Sequence, residues 1–371
     1  MEGISLVDLA GADWSGALEA RSSIPALAAR LAGIAPPDEE KWRFDVLSRC
    51  VSLTLLAGSG SRWQSSLAVA RNEGRLSGPG LAFDPSAPRG LFPVRDFISP
   101  GRSVSTDDHP ATIPIAAYSL AAVAGAGSHV VVVRDREGEI RRGIVAALGL
   151  RQEEWRFAVQ EVPYGKPLGH GDAAWQSRAL WRGSDWVVAN FGGDANSRFT
   201  VEASLLAMAA LDAGGEGADF LLPAALVREP AYPITLDFRG HPLAFGHAKL
   251  SGSDPAAGQG PGWTGLANVG LRIYRAEALA AALEELRAAY WVEGKGYAIP
   301  GNAADSGECA LDNADALFAE RGRARVLAFA RERELSPAKT VGEIPRFESS
   351  IAQVVAEDRL LLRAGPAIIG S

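Results

Sequence analysis

Cysteine and histidine are scarce in this sequence of 371 residues, which has two cysteines, Cys50 and Cys309, and five histidines. Two cysteines cannot form the disulfide framework of a small secreted domain, and they indicate a reducing compartment. No group of these residues has the close spacing that is typical of a zinc site. The composition therefore argues against a disulfide scaffold and a zinc domain, and it predicts a cytoplasmic protein.

An excess of basic residues is also missing, because 37 lysines and arginines face 44 aspartates and glutamates, for a net charge of −7. A general nucleic-acid-binding protein needs a basic surface, so we expect no nucleic-acid partner. An enzyme that acts on nucleotides needs only a local basic pocket, and this class stays open. The hydrophobic fraction of 47% and the charged fraction of 22% are ordinary for a globular protein.

We expect no membrane partner, although residues 110–133 contain no Asp, Glu, Lys or Arg and are long enough to cross a bilayer. This segment contains two prolines, two glycines and a histidine, and it divides into a helix that ends in glycines and a buried strand. We interpret it as one αβ unit of a globular domain. The first residues carry acids where a signal peptide carries lysines, so secretion is not expected.

The order of predicted elements indicates three regions. Residues 1–48 contain two helical stretches and form an N-terminal helical extension, and residues 346–371 form a C-terminal helical tail. Between them, residues 49–345 begin with buried strands that alternate with helices. This alternation predicts an α/β domain with a mostly parallel or mixed central sheet and helices on both faces. The predicted strands are VSLTLLA, HVVVVR, RFAVQEV, DWVVANF and ADFLLP.

The pattern changes after residue 230. Residues 232–251 predict an antiparallel hairpin that turns at Arg239 and Gly240, and residues 251–265 form a loop rich in glycine, proline and serine. Residues 266–275 predict one further strand. No internal repeat is present.

The stretch LLAGSGSR at residues 55–62 follows an apolar strand and has the composition of an anion-binding turn. Glycines let the backbone approach a phosphate closely, and consecutive N–H groups point into such a turn. Arg62 adds a positive charge that does not depend on pH near neutrality. The stretch predicts a phosphate site, although Gly-Ser turns after strands are common and most of them bind nothing.

Five further stretches follow this turn in an informative order. Residues 86–94 place Arg89 after a proline, residues 159–175 contain a glutamine and the turn PLGHGDA, and residues 186–196 end a strand in the acid of FGGDAN. The last two are LANVGLRIYR and GECALDNADALF. Together with the turn they resemble motifs of the sugar-1-phosphate nucleotidyltransferases, also called nucleoside-diphosphate-sugar pyrophosphorylases. The turn PLGHGDA resembles most closely the branch that uses UTP.

The resemblance covers roughly residues 50–345 and implies a glycosyltransferase-A-like, nucleotide-binding α/β domain. It implies transfer of a nucleotidyl group from a nucleoside triphosphate, here UTP, to a sugar-1-phosphate with release of pyrophosphate. Arg62 and Arg89 are then expected to act in catalysis, Asp194 to bind Mg²⁺, and Asn196 and Asn268 to bind the sugar. The residues expected to bind the nucleotide are Ala57, Gly58, Ser59, Gly60, Ser61, Gln160, Gly169 and His170.

The sequence departs from the family pattern in three places. Ser59 replaces a glycine of the phosphate turn, and Arg89 replaces a lysine, which keeps the charge and changes its geometry. Near the end, Ile344 and Pro345 stand where the family often has a metal-binding asparagine or aspartate. One metal ligand is therefore missing unless Asp312 or Asp315 supplies it, and a catalytically silent nucleotide-binding protein of the same fold is the alternative.

Each candidate residue also has a purely structural interpretation. The two arginines are candidates for surface ion pairs, His170 for stabilising its own turn, Asp194 for capping the following helix, and Asn268 for satisfying turn backbone. Two other functions fit the sequence badly. A dinucleotide-binding loop lacks its third glycine, because Trp63 follows the Gly-Ser turn, and a serine hydrolase lacks the G-x-S-x-G pattern.

Overall fold

A computed structural model describes residues 21–57, 60–76, 78–99, 111–134, 136–148, 154–215, 217–230, 233–236, 242–245, 264–302 and 306–362. Its helices are α1 (Ile24–Leu31), α2 (Glu39–Ser48), α3 (Ser61–Asn72), α4 (Ile115–Ala122), α5 (Glu137–Leu148), α6 (His170–Gln176), α7 (Arg198–Ala213), α8 (Ala276–Tyr290), α9 (Leu311–Glu320) and α10 (Ile344–Leu361). Its strands are β1 (Cys50–Leu55), β2 (Pro93–Arg95), β3 (Thr112–Pro114), β4 (Ser128–Val133), β5 (Trp155–Val159), β6 (Trp186–Phe191), β7 (Phe220–Arg228), β8 (Pro233–Leu236), β9 (Pro242–Phe245), β10 (Thr264–Asn268), β11 (Arg272–Arg275), β12 (Trp291–Val292), β13 (Gly296–Tyr297) and β14 (Ala324–Leu327).

The central sheet is mixed, with the strand order β5-β4-β1-β6-β11-β7-β10-β8-β9, and β14 pairs with β7. Strands β5, β4, β1 and β6 are mutually parallel. Strand β11 runs antiparallel between β6 and β7, and β10, β8 and β9 continue the sheet in antiparallel pairs. The α/β architecture with a mixed sheet is therefore confirmed.

Helices cover both faces of the sheet because the strand residues are apolar on both sides. In β4, Val131 and Val133 belong to one hydrophobic cluster, whereas Val130 and Val132 belong to a second cluster. Successive side chains of a strand point to opposite faces, so the two clusters lie on opposite sides of the sheet. A run of buried valines of this kind is typical of parallel strands that are covered twice.

The described parts of the two terminal regions pack into the same core as the sheet. Ile24 and Val46 of α1 and α2 join the first cluster, as do Phe347 and Val354 of α10. Helix α10 begins at Ile344, two residues before the predicted tail. Both regions therefore share the core of the α/β domain, because their apolar faces are buried against it.

One predicted strand is wrong in detail, since residues 266–275 belong to two strands, β10 and β11, joined by a turn. Gly270 has a φ of 82° in that turn, a conformation that favours glycine. Strands β8 and β9 form the expected hairpin, whereas its turn and most of the predicted loop of residues 251–265 lie outside the described residues. Helix α3 and the β2–β3 pair are additions to the predicted elements. In the described ranges, no helix is both long and apolar enough to cross a membrane.

The N-terminus of α7 is capped twice. Ser197 is the N-cap residue, and its hydroxyl accepts a hydrogen bond from the Thr200 N–H at 3.2 Å. The carboxylate of Asp358 in α10 accepts hydrogen bonds from the Arg198 N–H at 2.8 Å, the Phe199 N–H at 3.3 Å and the Ser197 hydroxyl at 2.5 Å. Three otherwise unsatisfied donors of α7 are thus held by a residue of the C-terminal helix.

We expect Asp358→Ala to lower the free energy of unfolding by about 1–2 kcal/mol, because the mutation removes these acceptors from a helix N-terminus. Urea denaturation at pH 7 measures the change. Glu320→Ala, at an exposed residue of α9, is the control and should stay within about 0.5 kcal/mol of the wild type. An equal stability of Asp358→Ala and the control would contradict the capping role.

Candidate functional site

The ends of four parallel strands are tied together at one edge of the sheet. The Leu56 N–H donates to the Val132 carbonyl after β1, and the Gly192 N–H donates to the Leu55 carbonyl after β6. The Gln160 N–H donates in the same way to the Val133 carbonyl after β5. Because these strands are parallel, all four carboxyl ends open on the same edge, which is where ligands bind in open α/β sheets.

The turn after β1 leads directly into helix α3. Ala57 is buried, Gly60 has a φ of 64° as the N-cap residue, and α3 begins at Ser61. Gly58 and Ser59 lie outside the described residues. The N-terminus of a twelve-residue helix presents backbone N–H groups and the positive end of the helix dipole, so this turn has the elements of an anion site.

Two arginines flank the turn in different ways. Arg62 is exposed in the first turn of α3, and in the described part of the chain no acid pairs with it. Arg89 is partly buried, and its guanidinium donates to the carbonyls of Gly192 and Ala338 at 3.1 Å each. Among the described residues, neither arginine forms the surface ion pair that was the structural alternative, because no acid there pairs with Arg62 and Arg89 is bound to backbone.

Asp194 follows β6 and lies between cations. Burial raises the pKa of its carboxyl to about 6, against the opposing effect of Lys339, Arg89 and Arg272. Within the described residues, no hydrogen bond reaches its carboxylate. The alternative role of a helix cap is wrong, because Ser197 caps α7.

The segment before α10 brings Lys339 to this site, which sequence analysis did not identify. The Ala338 N–H donates to the Gly193 carbonyl at 2.9 Å, and the adjacent Lys339 contributes to the electrostatic environment of Asp194. The signal was the lysine of SPAKT, just before the segment in which a family metal ligand is missing. A cation therefore approaches the site from the part of the chain where a ligand was expected.

Two glycines keep space open around the charged groups. A Cβ atom on Gly270 would lie 2.2 Å from Oδ2 of Asp194, and a Cβ atom on Gly193 would lie 3.0 Å from a guanidinium nitrogen of Arg89. Both glycines have positive φ values, 82° and 146°. A side chain at either position would push the carboxylate or the guanidinium aside.

Asp312 and Asp315 do not provide a second carboxylate for a metal beside Asp194. Arg272 donates to Asp312 at 3.0 Å and to Asp315 at 2.8 Å, and the Tyr274 hydroxyl donates to Asp315 at 2.6 Å. All four residues are buried. In the described ranges, no group of three or more His, Cys, Asp or Glu side chains is placed to hold a metal.

Asp194 alone still fits Mg²⁺. This ion keeps several waters and takes one or two protein carboxylates together with phosphate oxygens of a substrate. A carboxylate without a hydrogen-bond donor, in space left open by Gly270, is suited to that role.

The residues predicted to contact a base form a second group at the same edge. The side-chain nitrogen of Gln160 donates to the Gly169 carbonyl at 3.1 Å and to Asp172 at 3.2 Å. His170 accepts a hydrogen bond from the Leu311 N–H at 2.8 Å through Nδ1, so its ring joins the turn to the start of α9. This contact agrees with the structural interpretation of His170.

The turn of residues 168–172 packs closely against residues 307–311. The N–H groups of Gly171 and Asp172 both donate to the Cys309 carbonyl, and the Cys309 N–H donates to the Leu168 carbonyl. A Cβ atom on Gly169, which has a φ of 91°, would lie 2.4 Å from the Cys309 oxygen. The PLGHGDA and GECALD motifs are thus one structural unit.

The two asparagines predicted to bind a sugar both support the turn beside Asp194. Asn196 is buried, and its Nδ2 donates to the Val269 carbonyl at 3.0 Å. The side-chain oxygen of Asn268 accepts a hydrogen bond from the Gly270 N–H at 2.8 Å. This is the backbone role considered for Asn268, and its partly exposed side chain remains at the edge of the site.

No protein-family model matches this chain, and no curated protein matches it in sequence.

We expect the raised pKa of Asp194 to lower the free energy of unfolding at neutral pH. A carboxyl whose pKa is raised on folding favours the protonated state, so stability is lost as the pH rises from about 4 through 6. Asp194→Asn, which stays neutral, should therefore be more stable than the wild type by about 1–2 kcal/mol at pH 7, after allowing for partial solvent screening. The two proteins should be similar at pH 4. Thermal unfolding over this pH range measures the difference, and parallel curves would contradict the raised pKa.

Proposed function

We propose that this protein transfers a nucleotidyl group from a nucleoside triphosphate, UTP, to a sugar-1-phosphate and releases pyrophosphate. The observation that carries the proposal is the arrangement at the carboxyl edge of the sheet. A glycine turn that opens a helix lies there with Arg89, Lys339 and the carboxylate of Asp194. This arrangement has the charge and the donors that a triphosphate requires.

The basic groups support phosphoryl chemistry. In the proposed reaction, an oxygen of the sugar-1-phosphate attacks the α-phosphorus, the bond to the β-phosphate oxygen breaks, and pyrophosphate leaves with the electron pair. Charge develops around the α-phosphorus and on the leaving group, so catalysis depends on positioning and on fixed donors. Arg62, Arg89 and the first N–H groups of α3 provide those donors, and Lys339 adds charge from the opposite segment.

Arg89 is also suited to hold its position during the reaction. Its two hydrogen bonds to backbone carbonyls fix the guanidinium between residues 192 and 338. Since neither bond uses an acid, the positive charge of Arg89 is not neutralised by a salt bridge. A donor that is oriented before the substrate binds requires no reorganisation when charge develops.

Mg²⁺ fits this proposal, with Asp194 as the protein ligand. When bound, the ion would neutralise charge on the phosphate oxygens. The carboxylate of Asp194 has to be ionised for this purpose, so the raised pKa predicts weaker binding below about pH 6.

The finer assignments rest on the sequence resemblance together with the placement of the residues. The mixed sheet is compatible with the glycosyltransferase-A-like domain that the resemblance implies. Gln160 contacts the turn that contains Gly169 and His170, at the edge where the phosphate site is proposed, and Asn268 lies in the turn beside Asp194. These positions support a base subsite and a sugar subsite on the two sides of the proposed phosphate site.

A catalytically silent nucleotide-binding protein is the second candidate. The observation that favours it is the pairing of Asp312 and Asp315 with Arg272, which leaves Asp194 without a second carboxylate for a metal. Binding without turnover needs the cations, whereas turnover also needs the metal. The two candidates therefore differ in their response to a change at Asp194.

We expect purified protein with Mg²⁺ to release pyrophosphate from UTP and a panel of common sugar-1-phosphates. Asp194→Asn should reduce that rate at least a hundredfold, because it removes the charge of the metal ligand and preserves the shape of the side chain. A coupled pyrophosphate assay measures the rate. Asp45→Asn, at an exposed residue of α2, is the matched control and should keep the wild-type rate.

Two outcomes would change the proposal. Binding of UTP by the wild type without release of pyrophosphate across the panel would favour the silent protein. An active wild type together with a fully active Asp194→Asn variant would show that Asp194 binds no metal.

We expect Arg62→Ala to weaken the binding of UTP and Mg²⁺ roughly tenfold, because one hydrogen bond to a charged group is lost. Titration calorimetry measures the affinity. Gln64→Ala changes an exposed neighbour on the same helix and should leave the affinity unchanged. If both variants bind as the wild type does, the turn after β1 has only a structural role.

A further inference from the structure

Asp172 is a buried carboxylate at the first turn of α6 that has no role in the chemistry proposed above. Only 1% of its surface is exposed, and its neighbours are hydrogen-bond donors. Its Oδ1 accepts from the Tyr297 hydroxyl at 3.0 Å, and its Oδ2 accepts from the side-chain nitrogens of Gln176 at 2.7 Å and Gln160 at 3.2 Å. The Arg287 guanidinium lies 3.8 Å from Oδ1.

The two glutamines around Asp172 are oriented by their other partners. The side-chain oxygen of Gln176 accepts a hydrogen bond from the Glu161 N–H at 2.7 Å, so its nitrogen is the atom that faces Asp172. The nitrogen of Gln160 lies between two acceptors, the Asp172 carboxylate and the Gly169 carbonyl. A carboxylate and a carbonyl accept hydrogen bonds and donate none, so the reversed amide would place oxygen against oxygen at both contacts.

The side-chain oxygen of Gln160 consequently faces away from both acceptors. No described residue donates a hydrogen bond to this oxygen. It is also not one of the fully buried polar atoms that lack a partner. Gln160 follows β5 at the edge where the candidate site lies. The group left for a ligand at this position is therefore an acceptor, since both N–H donors of the amide are used inside the protein.

We propose that Asp172 is a positioning residue that orients the Gln160 amide, so that the base subsite presents an oxygen acceptor and selects a ligand with a ring N–H. This inference rests on the proposed function, because it assumes that a nucleotide base meets Gln160. Uracil carries such an N–H at its ring nitrogen N3, whereas cytosine, which has the same ring size, carries a lone pair there. An acceptor that faces a lone pair is repelled, so the fixed amide favours uridine over cytidine nucleotides.

Arg287 and Tyr297 hold Asp172 in place from the other side. Arg287 donates to the Tyr297 hydroxyl at 3.2 Å and lies between the rings of Trp175 and Trp291, 3.9 Å and 3.8 Å from their centroids. An arginine packed between two indoles has little freedom to move, and the same is then true of the carboxylate beside it. Asp172 therefore lies beside Gln160 in contacts that are formed before a ligand binds, and the packed Arg287 keeps it there when a single further partner is removed.

The experiment compares the affinities for UTP, CTP and N3-methyl-UTP, each with Mg²⁺. The wild type should bind UTP at least tenfold more tightly than the other two. Asp172→Ala should reduce this ratio towards one, because the Gln160 amide can then turn. Asp172→Asn should keep most of the ratio, since its amide oxygen can still face Gln160 while its nitrogen donates to the Tyr297 hydroxyl.

Two further variants separate positioning from general damage. Tyr297→Phe removes another partner of Asp172 without touching Gln160 and should preserve the UTP-to-CTP ratio. Gln160→Met keeps the size of the side chain, removes the acceptor and should abolish the ratio. It also serves as the second test of selection if Asp172→Ala does not fold. A role in folding alone would weaken UTP and CTP binding equally and leave the ratio unchanged, which would overturn the proposal.

The orientation of the Gln160 amide can also be measured without any nucleotide. Both side-chain N–H protons of Gln160, assigned by their loss in Gln160→Met, should exchange slowly with solvent in NMR spectra of the ligand-free protein. Fast exchange, as for a surface glutamine, would overturn the orientation itself. Slow exchange with equal affinities for UTP and CTP would overturn base selection and leave the phosphate site intact, whereas a protein that binds no nucleotide would contradict the proposed function as well.

Discussion

The hydrogen bonds of Arg89 to the carbonyls of Gly192 and Ala338 are the constraint on which the candidate site depends. They join the loop after residue 88, the end of β6 and the segment before α10, which are distant in sequence. Burial of the guanidinium lowers the pKa of Arg89, and the nearby Asp194 acts in the opposite direction. A buried charge without hydrogen-bond partners is costly. The need of Arg89 for these two carbonyls therefore keeps the three segments together.

Several cations collect at the site, although the whole chain is acidic. The protein has a net charge of −7, yet Asp194 lies among Lys339, Arg89 and Arg272. Arg272 is paired with both Asp312 and Asp315, so it adds no free positive charge to the site. In the proposed function, Arg89 and Lys339 attract a polyanionic ligand to one part of an acidic molecule, which favours a specific site over general adhesion.

The turn at residues 168–172 illustrates how two motifs depend on each other. Gly169 and Gly171 allow the turn to approach Cys309 closely, and the hydrogen bonds of that contact use the N–H groups that the turn would otherwise offer to a ligand. His170 is occupied in the same way by the Leu311 N–H. In the proposed base subsite, the side chain of Gln160 is therefore the group that distinguishes between ligands.

Much of the architecture could be predicted from the sequence. Strands β1, β4, β5, β6 and β7 follow from short apolar runs, and the position of Asp194 at a strand end follows from the run before it. Arg89 follows no such run, and its contact with Gly192 after β6 is known only from the structure. The division of residues 266–275 into two strands was missed because Gly270 reads as an ordinary strand residue until its positive φ is known. Lys339 was missed because its role depends on contact between segments 145 residues apart in the chain.

The sequence by itself determined the α/β class, because runs of β-branched residues predict strands that are buried on both faces, and such runs are visible in the local sequence. It also determined that glycines would lie at the strand ends, where the backbone must turn sharply. The tertiary structure alone decided which atoms remain for a ligand. Asp312, Asp315 and Asn196 have suitable chemistry, but their partners lie on other elements. The Asp194 carboxylate receives no hydrogen bond from any described residue and lies close to Gly270. Hydrogen bonds and desolvation act between elements that are far apart in sequence, so this selection follows only from the packing of the whole chain.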